Sequence, residues 1–236
     1  MGRKPGDISV ELKKICAGSA SSQKETGVRV QLARTMAVVY APSGYKPPAD
    51  LGSVPLDSLE LEHVHGYNGK NCRHNLKINA NGHLVYTVAA TGVVYDVASN
   101  SQKFFLGHNE DILCMAMHPD RKMVATGQLD PKGAETPFVC LWDSCDESVP
   151  LLAKLYFHER AVRALSFSAD GKKVVSIGDD DDHWMAIWDW EKVIGIGGVG
   201  KEPLVSGTSG KGFVNGIEPH PNGGVITYGP QYVKFW

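Results

Sequence analysis

An aromatic residue closes an apolar run four times at nearly constant spacing, and no other feature of the sequence limits the fold so strongly. The runs are Val93-Val94-Tyr95-Asp96, Cys140-Leu141-Trp142-Asp143, Ala186-Ile187-Trp188-Asp189 and Val233-Lys234-Phe235-Trp236. Successive intervals between Tyr95, Trp142, Trp188 and Trp236 are 47, 46 and 48 residues. A second landmark recurs in phase: the turns Asn79-Ala80-Asn81-Gly82, His118-Pro119-Asp120, Ser168-Ala169-Asp170-Gly171 and His220-Pro221-Asn222-Gly223. Each suits a tight reversal of the chain. Self-similarity at a fixed period of this length means repeated supersecondary units that stack on one another.

The segments flanking each turn are rich in Val, Ile, Thr and Tyr, as in Ile112 to Met117, Lys173 to Ile177 and Val225 to Tyr228. They read as strands. In the first of these, Leu113, Met115 and Met117 point to one face and Ile112, Cys114 and Ala116 to the other. A sheet apolar on both sides has to be sandwiched between two neighbours. The period, the Gly107-His108 pair that opens one unit and the Trp-Asp pairs at 142–143 and 188–189 are the signature of a WD-repeat β-propeller. The expected fold is therefore all-β, a partial propeller of about four blades over residues 75–236 with the last blade incomplete at Trp236. The chain reads as a fragment, or as one completed by something further, because an open end leaves strand edges and an apolar blade face uncovered.

Composition agrees with a packed core, with 42% hydrophobic and 21% charged residues. The longest weakly polar run, Leu84 to Tyr95, is too short to span a bilayer, and no apolar segment follows the basic N-terminus. Neither a membrane nor a nucleic acid is expected as a partner. Five cysteines at irregular spacing, several inside strand-like runs, read as reduced and buried, which suits the cytosol. Charge is uneven: residues 1–50 carry 8 Lys+Arg against 4 Asp+Glu, and the remainder carries 16 against 22. A basic arm over residues 1–54, partly flexible, precedes an acidic body.

At this point the residues resemble the echinoderm microtubule-associated protein-like family. The segment Leu59-Glu60-Leu61-Glu62-His63-Val64-His65-Gly66-Tyr67-Asn68-Gly69, followed by Asn71-Cys72-Arg73-His74-Asn75-Leu76, is similar to the hydrophobic motif of that family. It is assigned to residues 55–74, with Leu59, Leu61, Val64, Gly66, Tyr67, Gly69, Arg73 and Asn75 as its framework. Gly107-His108, Ala125-Thr126-Gly127-Gln128, Trp142-Asp143-Ser144, Asp182-His183, Trp188-Asp189-Trp190 and the terminal Trp236 continue the succession. Where the family usually has Trp, Tyr and Arg in the motif, this chain has His63, His65 and Asn68. The resemblance implies a non-enzymatic scaffold that binds tubulin or microtubules and other cytoskeletal or axonemal proteins, located in the cytoplasm, on the cytoskeleton or in a cilium. A generic WD-repeat adaptor unrelated to microtubules is the alternative. Because microtubule surfaces are acidic, Arg3, Lys4, Lys13 and Lys14 of the basic arm are the expected tubulin contacts.

Motifs with chemical potential each have a plainer reading. Gly195-Ile196-Gly197-Gly198-Val199-Gly200-Lys201 has the glycines and lysine of a phosphate loop. Glu202 then stands where Ser or Thr would hold magnesium, and Pro203 opposes the required helix, so an interblade loop is expected. His63, His65, Cys72 and His74 match no zinc spacing, and Asp179 to Asp182 lack the glycine and distal Glu of a calcium loop. His108 and Trp142 read as a structural polar network of WD repeats. Leu59, Leu61, Val64 and Tyr67 read as core plugs, with Glu60 and Glu62 facing away. No catalytic residue, metal or cofactor is expected.

Overall fold

The computed structural model describes residues 28–32, 35–40, 44, 46, 59–69, 72–130 and 136–236. The chain divides into two units, Met1–Glu60 and Leu61–Trp236. In the first, strands β1 (Val28–Leu32) and β2 (Thr35–Val39) form an antiparallel hairpin in the register Val28 to Val39. The composition of the basic arm gave no hint of it.

Among the described residues the second unit is built from four sheets met in sequence order, antiparallel but for one pairing. The first comprises β3 (Leu76–Ile78), β4 (Leu84–Val88), β5 (Thr91–Asp96) and β6 (Ser101–Phe105). The second contains β7 (Ile112–Met117), β8 (Met123–Gln128), β9 (Phe138–Asp143) and β10 (Leu151–Tyr156). Next come β11 (Val162–Phe167), β12 (Val174–Gly178) and β13 (Trp184–Trp188), followed by helix α1 (Trp190–Gly195), β14 (Val199–Gly200) and β15 (Val205–Thr208). The last sheet is β16 (Gly216–Pro219), β17 (Val225–Gly229) and β18 (Tyr232–Phe235). Tyr95, Trp142 and Trp188 lie on the third strand of their sheets, and Trp236 immediately follows the third strand of the last. The positions inferred from the period are thus structurally equivalent, and the last sheet has three strands among the described residues.

Alternation along each strand distributes side chains between neighbouring sheets. Met115, Val124, Phe138, Cys140 and Trp142 of the second sheet pack with Val85, Val94 and Phe105 of the first. Its opposite face sends Cys114, Ala116, Ala125, Val139 and Leu141 against Val162, Leu165, Phe167 and Trp188 of the third. A third layer joins Ala164, Val175, Ile177 and Met185 to Ile217 and Val225. Each fully buried Val, Leu, Ile, Phe or Met among these contributes about 1.5–3 kcal/mol, so the interleaved layers dominate the stability of the stack.

The glycine run is not the simple interblade loop expected from sequence. After β13 the chain forms α1, capped by the Asp189 carboxylate accepting from the Lys192 N–H. It then crosses to the outer edge of the second sheet, where β14 pairs in parallel with β10 through Lys154–Val199 and Leu155–Gly200. From there it returns as β15, the fourth strand of the third sheet. Gly198 is required at the crossing: its φ is 76°, the Lys154 N–H donates to its carbonyl at 2.7 Å, and a Cβ would lie 2.8 Å from the Leu152 carbonyl oxygen. That stitch ties two blades together by backbone as well as by packing. Gly198→Ala is expected to cost about 1–3 kcal/mol through left-handed strain and the carbonyl clash. The urea midpoint should fall, and hydrogen exchange should accelerate at the Lys154 amide while the β12–β13 amides stay protected.

Candidate functional site

Three sheets repeat one hydrogen-bonded motif at the end of the third strand. The Trp142 indole N–H donates to Thr126 Oγ1 at 3.1 Å, Trp188 to Ser176 Oγ at 3.1 Å, and Trp236 to Thr227 Oγ1 at 2.9 Å. Register explains the recurrence: Trp142 pairs with Val124 and Trp188 with Val174, in each case two residues before the hydroxyl, on the same side of the strand. A histidine completes the chain in two of these sheets. His108 Nε2 lies 2.7 Å from Thr126 Oγ1 and His158 Nε2 lies 2.8 Å from Ser176 Oγ. His108 Nδ1 faces Gln128 Oε1 at 2.8 Å, so the proton on Nδ1 serves Gln128 and Nε2 accepts from the threonine hydroxyl. Gly107 beside it has no room for a side chain, since a Cβ would meet the Phe105 ring at 2.3 Å.

The aspartates that follow the aromatics cap the turns rather than face the core. Asp96 accepts from Ala98 N, Asp143 from Cys145 N at 2.7 Å, and Asp189 from Lys192 N while also pairing with Lys173 Nζ at 2.7 Å. The first sheet lacks the tryptophan motif. Its Tyr95 donates instead to Asn100 Oδ1 at 2.8 Å.

The segment after Leu61 runs as irregular chain along the face of the first sheet that turns away from the second. Val64 is clamped by one side chain, its N–H donating to Gln102 Oε1 at 2.8 Å and its carbonyl accepting from Gln102 Nε2 at 3.2 Å. Tyr67 stands 6.2 Å from the Tyr86 ring and donates its hydroxyl to Asn75 Oδ1, while buried Asn75 returns a bond from Nδ2 to Asn68 O at 2.9 Å. Gly66 takes φ 110°, and the Gly69 N–H donates to Tyr67 O. The expectation that the leucines plug a core is overturned: Leu59 is fully exposed, and Leu61 and Tyr67 are 41% and 52% exposed. Val64 is half-buried and Arg73 exposed. A segment held by backbone and amide bonds has no strand alternation to drive its apolar side chains to one face. Nothing in the sequence reading pointed to Gln102 as its anchor.

The other motifs have ordinary surroundings. Among the described residues no group of three or more His, Cys, Asp or Glu is positioned to hold a metal ion. The Cys72 thiol donates to Ile112 O at 3.1 Å, and burial, with Asp111 adding to it, pushes its pKa up, away from a thiolate ligand. The glycine run follows the C-terminus of α1, so it lacks the helix N-terminus that a phosphate loop needs. No helix among the described residues is long and apolar enough to cross a membrane. Arg3, Lys4, Lys13 and Lys14 lie outside the described residues.

Comparison with known proteins now decides the family. The family model described as the echinoderm microtubule-associated protein first beta-propeller matches residues 101–236, and the HELP motif model matches residues 54–93. The chain belongs to this family. Echinoderm microtubule-associated protein-like 1 of Homo sapiens is 32% identical over 191 residues, covering 78% of this chain and 22% of the relative. The 77 kDa echinoderm microtubule-associated protein of Strongylocentrotus purpuratus is 33% identical, covering 90% of this chain and 31% of its own length. This family member thus spans about a fifth to a third of the curated relatives it matches. A chain in the crystal structure of the mitotic checkpoint complex superposes with a TM-score of 0.53 at 19% identity, over 68% of this chain and 46% of that one. At that identity the likeness shows the fold.

The two histidines give this EMAP-family chain a defined acid sensitivity. Burial lowers each imidazole to about 4 from 6.5, against the Gln128 hydrogen bond in His108 and the Asp180 charge in His158. The unfolded chain therefore binds more protons between these values. Their stabilisation is complete above pH 6.5 and is lost as pH falls toward 4. Each contributes a slope on the order of 1 kcal/mol per pH unit in that window. Urea midpoints measured from pH 7 to 4.5 should fall accordingly, and His158→Asn should flatten the slope while lowering stability at pH 7.

Proposed function

We propose that this chain is part of a non-enzymatic microtubule-associated protein, whose propeller serves as a rigid scaffold for tubulin and other cytoskeletal proteins. The observation that carries the reading is membership of the echinoderm microtubule-associated protein family, whose relatives bear that name. The buried histidines are engaged in the core of the blades, and the glycine run is consumed in a blade-to-blade stitch rather than offered to a phosphate.

Tubulin contact is assigned to the basic arm, with Arg3, Lys4, Lys13 and Lys14 facing an acidic polymer surface. The acidic remainder is suited to other partners. Residence is cytoplasmic and cytoskeletal, and the axoneme of a cilium or flagellum is one such setting.

Co-sedimentation with taxol-stabilised microtubules tests the reading in the parent protein. Saturable pelleting is expected, with reversal of the four basic residues to Glu weakening it about ten-fold or more at low salt. Absence of pelleting by the unaltered protein removes the proposal. Pelleting that the four reversals leave unchanged removes the assignment to the arm alone.

A further inference from the structure

Two imidazoles stand side by side in the segment that runs along the first sheet. His63 and His65 flank Val64, and their ring centroids lie 4.5 Å apart with an interplanar angle of 32°. His63 is half-buried and His65 exposed. The backbone between them is fixed, since the Val64 N–H and carbonyl are both bonded to the Gln102 side chain, at 2.8 and 3.2 Å. Tyr95 of β5 meets the His63 ring edge-on at 6.4 Å. The pair is therefore held by the sheet beneath it rather than carried on a free loop.

A second observation belongs to the pair itself. His63 Nδ1 is shielded from solvent and has no hydrogen-bond partner among the described residues. A nitrogen in that position has lost water and gained nothing in exchange, which favours a ligand able to satisfy it. The ring spacing says which kind. Two imidazole nitrogens bound to one metal ion at about 2.0 Å and at about 90° to each other, with the ring radius added, put the centroids about 4.5 Å apart; a tetrahedral angle puts them about 5.1 Å apart. The observed separation matches the first arrangement. Among the described residues no group of three His, Cys, Asp or Glu includes this pair, so the remaining coordination positions are open to water.

We propose that His63 and His65 together bind one divalent ion of the copper type, a cation that takes imidazole nitrogens in a tetragonal arrangement. His63 supplies Nδ1 and His65 one ring nitrogen. Gln102 is a positioning residue, which holds the backbone between the two ligands and so sets their spacing. The site does not depend on the microtubule reading, because it uses no residue of the basic arm and no partner protein.

The test titrates cupric chloride into the 236-residue chain and reads the electron paramagnetic resonance spectrum together with the broadening of the histidine ring signals. One equivalent is expected to give a tetragonal spectrum split by two imidazole nitrogens, and to broaden the His63 and His65 signals before that of the exposed His74. His63→Gln and His65→Gln identify those signals, and each should weaken binding about ten-fold or more, because a chelating pair becomes a single ligand. Gln102→Ala should weaken binding about ten-fold while keeping the two-nitrogen splitting. His74→Gln should change nothing. Broadening spread evenly over the exposed histidines marks an adventitious ion only and overturns the proposal. So does splitting from a single nitrogen, or full affinity in either single-histidine variant whose spectrum stays well dispersed. Unchanged affinity in Gln102→Ala removes the positioning role.

Discussion

The second and third sheets of this stack are buried and apolar on both faces, so neither is stable without its neighbours. The second sheet shows the constraint in full. Phe138, Cys140 and Trp142 face back toward the first sheet while Val139 and Leu141, alternating with them, face forward to the third. A one-residue slip of β9 would exchange the two sets and leave neither interface matched. This reciprocal burial makes the units cooperative through nearest-neighbour contacts and fixes the register on which each later feature depends.

Burial on both sides also creates a polar problem that the sheets solve in a repeated way. An indole N–H deep in the stack costs about 1–3 kcal/mol if left without a partner. Thr126 and Ser176 meet that need for the buried Trp142 and Trp188, Thr227 bonds the part-exposed Trp236 in the same way, and His108 and His158 extend the hydrogen-bonded chain. The fourth sheet keeps the hydroxyl but not the histidine. His108 and His158 each lie ten residues before the turn residues His118 and Ser168, and the position ten before His220 is Gly210. The Lys234 ammonium lies 3.0 Å from where a Gly210 side chain would begin and donates to Ser209 O at 2.8 Å. The fourth sheet thus has no imidazole at this position, and an exposed lysine from its third strand bonds the neighbouring backbone instead.

Side chains whose role follows from a repeat were legible before any coordinate. The period alone placed Trp142, Trp188 and Trp236, and alternation alone divided Met115 from Cys114. The path of β14 was not legible, since a two-residue parallel pairing leaves no periodicity and the glycines suggest only freedom. Leu59 and Leu61 misled because alternation was read into a segment that is not a strand. Gln102 was invisible for a related reason: a single amide clamping a backbone has no spacing rule. The aspartate run before Trp184 was legible in the sequence, but its surroundings were not. Its partners Glu159 and Phe157 arrive from the preceding connection, and only tertiary structure brings the two loops together.

The placement of charge follows from where rigidity is available. Carboxylates inside the stack would forfeit hydration worth several kcal/mol each, and the interior accordingly uses hydroxyls, neutral imidazoles and amides. Charge collects instead on the connections at the ends of the sheets, as with Asp143 and Asp189 at the turns and Asp180 to Asp182 between β12 and β13. Loops of this kind are normally adaptable, but here the strands beneath them are locked by the Trp188–Ser176–His158 chain. Asp180 is additionally tied to the Trp184 backbone. The energy that holds a negatively charged rim in one geometry is therefore supplied by the dry core below it. That separation lets the surface chemistry of one blade vary without disturbing the packing that defines the stack.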